Sequence, residues 1–301
     1  MNKIYPWINA ARLRTLPLAL SCVVTAAFLA AYEGAFKWTI FLLAALTTIL
    51  LQVLANFAND YGDTLNGADN EDRIGPIRMV QSGRITPLQM KKGIICVIVL
   101  TLITGFSLLY FSLARSLINP EVIVFFILGI LAIVAAIKYT GGNNPYGYRA
   151  LGDLSVFLFF GILGVLGNVY LYIQHLNWEY LMPAISIGTL SMAVLNLNNM
   201  RDRPEDAKVG KRTIPVIIGQ KAAKLYHFLL ILIAIASAIM FSFQTSLGYK
   251  QFIYLLPMII LVAHLIKVWG TEETKDFDPE LKKVALSTFA FSILFGLGLI
   301  I

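Results

Sequence analysis

The sequence predicts an all-α, polytopic membrane protein, a bundle of nine spanning helices. Three features point to this. Of the 301 residues, 58% are hydrophobic and 14% are charged, whereas a soluble domain is roughly a quarter charged. Nine apolar stretches approach the roughly 20 residues that a bilayer-spanning helix needs. The positive charges collect on alternate connections between them. The same numbers exclude a disordered chain, a coiled coil and a small disulfide-stapled domain.

The stretches run in order over 16–32, 38–58, 93–113, 122–137, 151–173, 180–197, 225–243, 252–268 and 284–301. The first follows Lys3, Arg12 and Arg14 and is read as a retained helix, because its apolar run is too long for a signal peptide. The fourth is short, which tilt accommodates, and the sixth ends in polar residues. In the fifth, Gly161, Gly164 and Gly167 recur every third residue and suit close helix packing. A single domain over 1–301 is expected.

Of the 24 lysines and arginines, 21 flank the N-terminus and the connections after the second, fourth, sixth and eighth stretches; Lys37, Arg115 and Lys250 are the others. The positive-inside rule places the rich side in the cytoplasm and the C-terminus outside. A net charge of +7 therefore reflects topology and no nucleic-acid partner. Cys22 and Cys96 lie in apolar runs and behave as small hydrophobes. His175, His227 and His264 lack zinc-ligand spacing.

Two cytoplasmic segments gather carboxylates. The first holds Asn56, Asn59, Asp60 and Asp63, then Asp69, Glu71 and Asp72; the second holds Asn196, Asn198, Asn199, Asp202, Glu205 and Asp206. Asn56, Asn59, Asp60 and Asp63 share one face of a helix, and so do Asn198, Asp202 and Asp206, with Pro204 expected to disturb the last turn. Both clusters sit at helix C-termini, where partial negative charge disfavours carboxylates by a few tenths to about 1 kcal/mol each. A compensating cation is therefore expected. Carboxylates with amide oxygens suit Mg2+ held together with phosphate, and Arg78, Lys208, Lys211 and Arg212 stand nearby as diphosphate donors. No P-loop is present, so the expected diphosphate is a lipid rather than a nucleotide. A solvated acidic loop is the plain alternative; two Asn-led copies on one side argue against it.

At these residues the chain resembles the UbiA superfamily of intramembrane prenyltransferases. Asn59-Asp60-Tyr61-Gly62-Asp63 and Asp202-x-x-x-Asp206 look like its two Asp-rich motifs. The segments from Asp72 to Arg78, Gln81 to Thr86, Asn143 to Tyr148, Asn196 to Asn199, and Arg12-x-x-Thr15-Leu16-Pro17 are similar to its naphthoate-prenylating branch. The resemblance covers about 12–219 and, more loosely, the last three helices. It implies a nine-helix UbiA-like bundle with cytoplasmic catalytic loops, in a bacterial inner membrane. It also implies Mg2+-dependent transfer from polyprenyl diphosphate to 1,4-dihydroxy-2-naphthoate with loss of CO2. Carried over by motif, Asn59, Asp60, Asp63, Asn198, Asp202 and Asp206 would hold the metal, with Asp63 and Asp202 catalytic. Tyr139 would offer its ring face to a carbocation, although an interfacial anchor fits it equally, and Arg12 would meet the acceptor carboxylate. Some relatives carry a Lys four residues after this Tyr, where this chain has Asn143.

Three alternatives stand beside this reading. One is another aromatic acceptor, such as 4-hydroxybenzoate or homogentisate. A cation-coupled transporter would place carboxylates near mid-membrane, and here they sit at the rim. A CDP-alcohol phosphotransferase lacks its spaced aspartate signature.

Overall fold

The computed structural model describes residues 4–67, 75–113, 119–245 and 247–301. Asp69, Glu71 and Asp72 fall outside these residues. Nine helices long and apolar enough to cross a membrane are found among the described residues: α1 Leu16–Tyr32, α2 Trp38–Leu65, α3 Pro87–Leu113, α4 Pro120–Lys138, α5 Gly152–Ile173, α6 Leu181–Lys208, α7 Ile214–Thr245, α8 Leu255–Gly270 and α9 Phe277–Ile300. The protein is therefore a multi-pass membrane protein. The described residues form no strand, only an isolated bridge between Arg149 and Arg212.

The helices overrun the apolar stretches where the function-bearing residues sit. α2 continues seven residues past the apolar run to Leu65, and α6 continues eleven past it to Lys208. Both acidic motifs are thus helical. Pro204 lies inside α6 without ending it, so the expected disturbance of the last turn does not break the helix. α7 begins at Ile214 rather than 225 and is two helical pieces joined at Gly219, whose φ of 79° only glycine adopts freely.

A short helix, Tyr5–Ala11, precedes α1 and stops at Arg12, which adopts a left-handed φ of 50°. Asn56 of α2 stabilises this break. Its Nδ2 donates to the Ala11 carbonyl at 2.8 Å and to Thr15 Oγ1 at 3.1 Å. A buried carbonyl freed by a chain break needs such a donor. Trp7 of the short helix packs on Phe57, with ring centroids 5.5 Å apart.

α6 is the central helix. Its apolar window is 72% buried, against 22% for α3 and 17% for α4, so α3 and α4 turn most of their side chains to lipid. Ser186 of α6 donates to the Ala234 carbonyl of α7 at 2.9 Å. α5 approaches α6 through facing glycines: a Cβ on Gly161 would stand 2.8 Å from the Ala184 carbonyl and 2.9 Å from the Gly188 Cα. The middle of α5, Phe157–Gly167, winds as a wide π-type helix. Further along it, a Cβ on Gly164 would meet the Cys22 side chain of α1 at 3.0 Å.

On the far side, His227 of α7 and His264 of α8 meet at 2.8 Å between their Nε2 atoms. His264 Nδ1 lies 2.6 Å from Glu280 Oε2 of α9. Sequence distance hides this chain of contacts, which ties the last three helices together.

The α5–α6 contact tolerates no side chain at Gly161. Gly161→Leu is expected to lower the thermal midpoint in detergent, at a cost on the order of 1–3 kcal/mol or more. A wild-type midpoint would show that α5 and α6 are not in close contact at Gly161.

Candidate active site

The C-terminal turns of α2 and α6 open into one cavity of about 370 Å³. Its polar end is lined by Asn59, Asp63, Arg78, Asn198, Asp202 and Lys211; Arg12, Arg14, Tyr139 and Thr140 also reach it. Its other end is apolar, walled by residues such as Leu18, Leu51, Ala132, Phe159 and Leu163.

Close approach positions the first motif. Gly62 lies against Thr140, where a Cβ would stand 2.6 Å from Thr140 Oγ1. The same hydroxyl donates to Asn59 Oδ1 at 3.2 Å and to the Ala58 carbonyl at 3.1 Å. A lone threonine after an apolar run carries no sequence pattern, so Thr140 is visible only in the fold.

Asp63 accepts from Arg78 Nη2 and from the Tyr148 hydroxyl, both at 2.8 Å. It is 3% exposed and Arg78 is 4% exposed, so their pairing answers the desolvation of both charges. Asp60 behaves differently. Its two oxygens accept from the backbone N–H groups of Met79 and Val80, at 2.9 and 3.0 Å. It is turned away from the cavity lining and holds the segment that carries Arg78. The spacing of Asp60 with Asp63 suggested two equivalent ligands; the fold gives them separate tasks.

In the second motif, Arg201 is 1% exposed and lies beneath Asp202. Its Nε and Nη2 donate to the two Asp202 oxygens at 2.7 and 2.8 Å, and Nη2 also donates to Asn198 Oδ1 at 2.8 Å. Asp206 pairs with Lys211, Nζ to Oδ1 at 3.3 Å, while its Oδ2 is buried with no hydrogen-bond partner. Lys211 Nζ also stands 5.2 Å above the Tyr148 ring. Burial pushes the Lys211 ammonium down, but Asp63, Asp206 and Asp202 outweigh burial and raise its pKa above the ordinary lysine value. It remains charged at neutral pH. Burial first, and then the carboxylates of Asp153, Asp63 and Asp206, push the Tyr139 phenol well above its usual range, so Tyr139 is neutral.

Not every candidate cation reaches the cavity. Lys208 and Arg212 are exposed and do not line it; the turn after α6 directs Lys211 alone inward, because the Arg212 N–H is bound to the Tyr148 carbonyl at 3.0 Å. Arg14 lines the cavity and pairs with Asp278 of α9 at 3.3 Å, a contact that a distance of 264 residues conceals.

The donor set suits a hard divalent cation. Carboxylate and amide oxygens of Asn59, Asp63, Asn198 and Asp202 line the polar end; Asp206, although expected as a ligand, does not line it, because its carboxylate is buried against Lys211. Among the described residues, no three acidic, histidine or cysteine side chains already form a metal cluster; Arg78, Arg201 and Lys211 hold the carboxylates instead.

Residues 19–294 match the UbiA prenyltransferase family. The chain belongs to the UbiA prenyltransferase family. Among curated UbiA relatives, the 1,4-dihydroxy-2-naphthoate octaprenyltransferase of Haemophilus influenzae is 40% identical and aligns over 100% of this chain and 97% of its own. The enzyme of the same name from Escherichia coli is 38% identical over 99% and 96%. A UbiA homolog from Aeropyrum pernix K1 has the same fold, with a TM-score of 0.70 over 96% of this chain and 98% of that one at 16% identity. A UbiA homolog from Archaeoglobus fulgidus, solved with DMAPP and Mg2+, matches with a TM-score of 0.65 over 98% of each chain at 15% identity.

The separate tasks of the two aspartates are open to measurement. Asp60→Ala strands two buried backbone donors at about 1–3 kcal/mol each and is expected to lower the thermal midpoint markedly. Asp63→Asn keeps an oxygen for Tyr148 and is expected to fold while losing activity. The reverse pattern, a stable inactive Asp60→Ala and an active Asp63→Asn, would overturn the assignment.

Proposed function

We propose that this chain transfers a polyprenyl group from polyprenyl diphosphate to 1,4-dihydroxy-2-naphthoate, with release of diphosphate and CO2, to give demethylmenaquinol, the hydroquinone form of demethylmenaquinone. The observation that carries the proposal is the single cavity that joins residues of both Asn/Asp motifs and the cations Arg78 and Lys211 at one end to an apolar groove at the other. The Haemophilus influenzae and Escherichia coli relatives, named for this reaction and aligned over nearly the whole chain, support the acceptor.

Asn59, Asp63, Asn198 and Asp202 are positioned to hold Mg2+. Bound Mg2+ supplies positive charge to the departing diphosphate. Arg78 and Lys211 donate to its oxygens and stabilise the charge that develops as the allylic C–O bond breaks. The bonding pair leaves with the diphosphate. Tyr139, kept neutral, presents a π-system to the allylic carbon as it becomes cationic. The electron-rich naphthalene ring forms the new C–C bond, and the carboxylate leaves as CO2, whose electron pair restores the aromatic ring. Arg12 and Arg14, at the same end of the cavity, offer the acceptor carboxylate its counter-charge. Walls such as Phe159 and Leu163 keep water from the cation.

The prenyl tail occupies the apolar end. A second cavity of about 140 Å³ adjoins it, and Thr48, Leu51, Ala132, Leu163 and Asn168 line both. The groove so formed runs between α2, α4 and α5 toward α3, the helix most open to lipid together with α4. The positive-inside rule supports a cytoplasmic polar end, and the bacterial relatives support the inner membrane of a bacterium as the location.

Turnover by the purified protein with dihydroxynaphthoate, a polyprenyl diphosphate and Mg2+ is the direct measurement. EDTA should stop it and added Mg2+ restore it. Asp202→Ala should reduce kcat at least as much as removal of one transition-state donor does, about 100- to 1,000-fold. Turnover with 4-hydroxybenzoate or homogentisate but none with dihydroxynaphthoate would sink the acceptor assignment. Separately, Ala132→Phe, which narrows the passage between the two cavities, is expected to raise KM for a long-chain diphosphate while leaving dimethylallyl diphosphate nearly unaffected. Equal effects on both donors would place the tail elsewhere.

A further inference from the structure

α9 contributes one charged side chain to the site from outside both motifs. Asp278 stands in the first turn of α9, where the helix dipole favours a carboxylate. It is bound by two arginines at once. Its Oδ1 accepts from Arg201 Nη1 at 2.5 Å, and its Oδ2 accepts from Arg14 Nη1 at 3.3 Å. Arg201 is a fully buried cation that also donates to Asp202 and Asn198. Asp202 and Asn198 line the polar end of the cavity, and so does Arg14.

The arrangement has a consequence for cation binding. Arg201 competes with any metal for both Asp202 oxygens. A guanidinium held by Asp202 alone would neutralise that carboxylate and remove it as a ligand. Asp278 supplies the second counter-charge that a buried guanidinium requires. With it, Arg201 can be drawn off Asp202 without being left unpaired. Glu280, two residues further on, ties the start of α9 to α8 through His264 at 2.6 Å and pairs with Lys283 of its own helix at 2.5 Å, so Asp278 is held in place independently of the motifs.

We infer that Asp278 is a positioning residue for prenyl transfer: by sharing the charge of Arg201, it keeps Asp202 and Asn198 available to a divalent cation. This rests on the metal–diphosphate reading of the cavity. Asp278 touches no substrate in this assignment; it acts through Arg201.

The test is direct binding, without turnover. Mg2+ is titrated by calorimetry into detergent-solubilised full-length protein in the presence of saturating inorganic diphosphate. Asp278→Asn is expected to raise the half-saturating Mg2+ concentration about tenfold, which corresponds to roughly 1.4 kcal/mol. Asp278→Glu, which keeps the charge, is expected to restore most of the affinity. Arg201→Gln should make the Asp278→Asn step silent, since residues that act through one partner couple in a double-mutant cycle. Asp278 is 36% exposed at its side chain, so its substitution is compatible with folding; if Arg201→Gln does not fold, the Asn and Glu variants of Asp278 still decide. A lower thermal midpoint for Asp278→Asn with an unchanged Mg2+ midpoint would overturn the inference and leave Asp278 a strut. An undiminished Asp278→Asn effect in the Arg201→Gln background would overturn it too. Asp202→Asn serves as the separate control: if it binds Mg2+ and diphosphate like the wild type, the metal–diphosphate reading itself fails.

Discussion

Buried carboxylates at the ends of two helices govern this structure. Asp63, Asp202 and Asp206 sit where the backbone is already partly negative, and each is less than 10% exposed. Such charges persist only when paired. Each is therefore paired: Asp63 with Arg78, Asp202 with Arg201, Asp206 with Lys211. The rest of the fold serves these pairs. The segment bearing Arg78 is held by Asp60, the turn bearing Lys211 is set by the Tyr148 carbonyl, and Arg201 is held from below by α9. Two of the cations that pair with these carboxylates, Arg78 and Lys211, also line the cavity and in the proposed reaction face the diphosphate, so stability and chemistry draw on shared side chains.

Much of this was legible in the sequence. Hydropathy and the alternation of positive charge give nine spans because the bilayer imposes one length and one sign rule on every helix. The motif residues were legible because i, i+3, i+4 spacing becomes one helix face. Of these residues, Asn59, Asp63, Asn198 and Asp202 line the cavity, whereas Asp60 and Asp206 do not. What stayed hidden has a common cause. Thr140 against Gly62, Arg14 against Asp278, and His227 against His264 are pairings between distant segments, and no local pattern reports them. Nor could spacing separate Asp60 from Asp63, since both lie on the same face and differ only in what the following loop brings to them. Lys208 and Arg212 looked equivalent to Lys211 for the same reason: composition places charges near a site, while a single turn decides which one points inward.

The apolar side shows how few close contacts such a bundle needs. Lipid solvates α3 and α4 as readily as protein would, so hydrophobic burial alone gives little reason for helices to associate. Association concentrates at α6, through small residues facing Gly161 and through hydroxyls such as Ser186 that reach a neighbour's carbonyl. The loosely packed pair is also where the apolar groove opens. The closely packed half around α6 carries the charges, and in the proposed reaction the lipid-facing half accommodates the tail.

The two-ended cavity also makes the protein a phase-transfer catalyst. A charged, water-soluble ring and a detergent-like diphosphate share no common solvent, and their spontaneous encounter is limited by partition rather than by reactivity. A chamber wet at one rim and greasy at the other lets each reactant enter from the medium that dissolves it. The reaction then strips away both polar handles, the carboxylate and the diphosphate. The product that remains prefers only one exit, sideways into the bilayer, so solubility itself gives the turnover its direction.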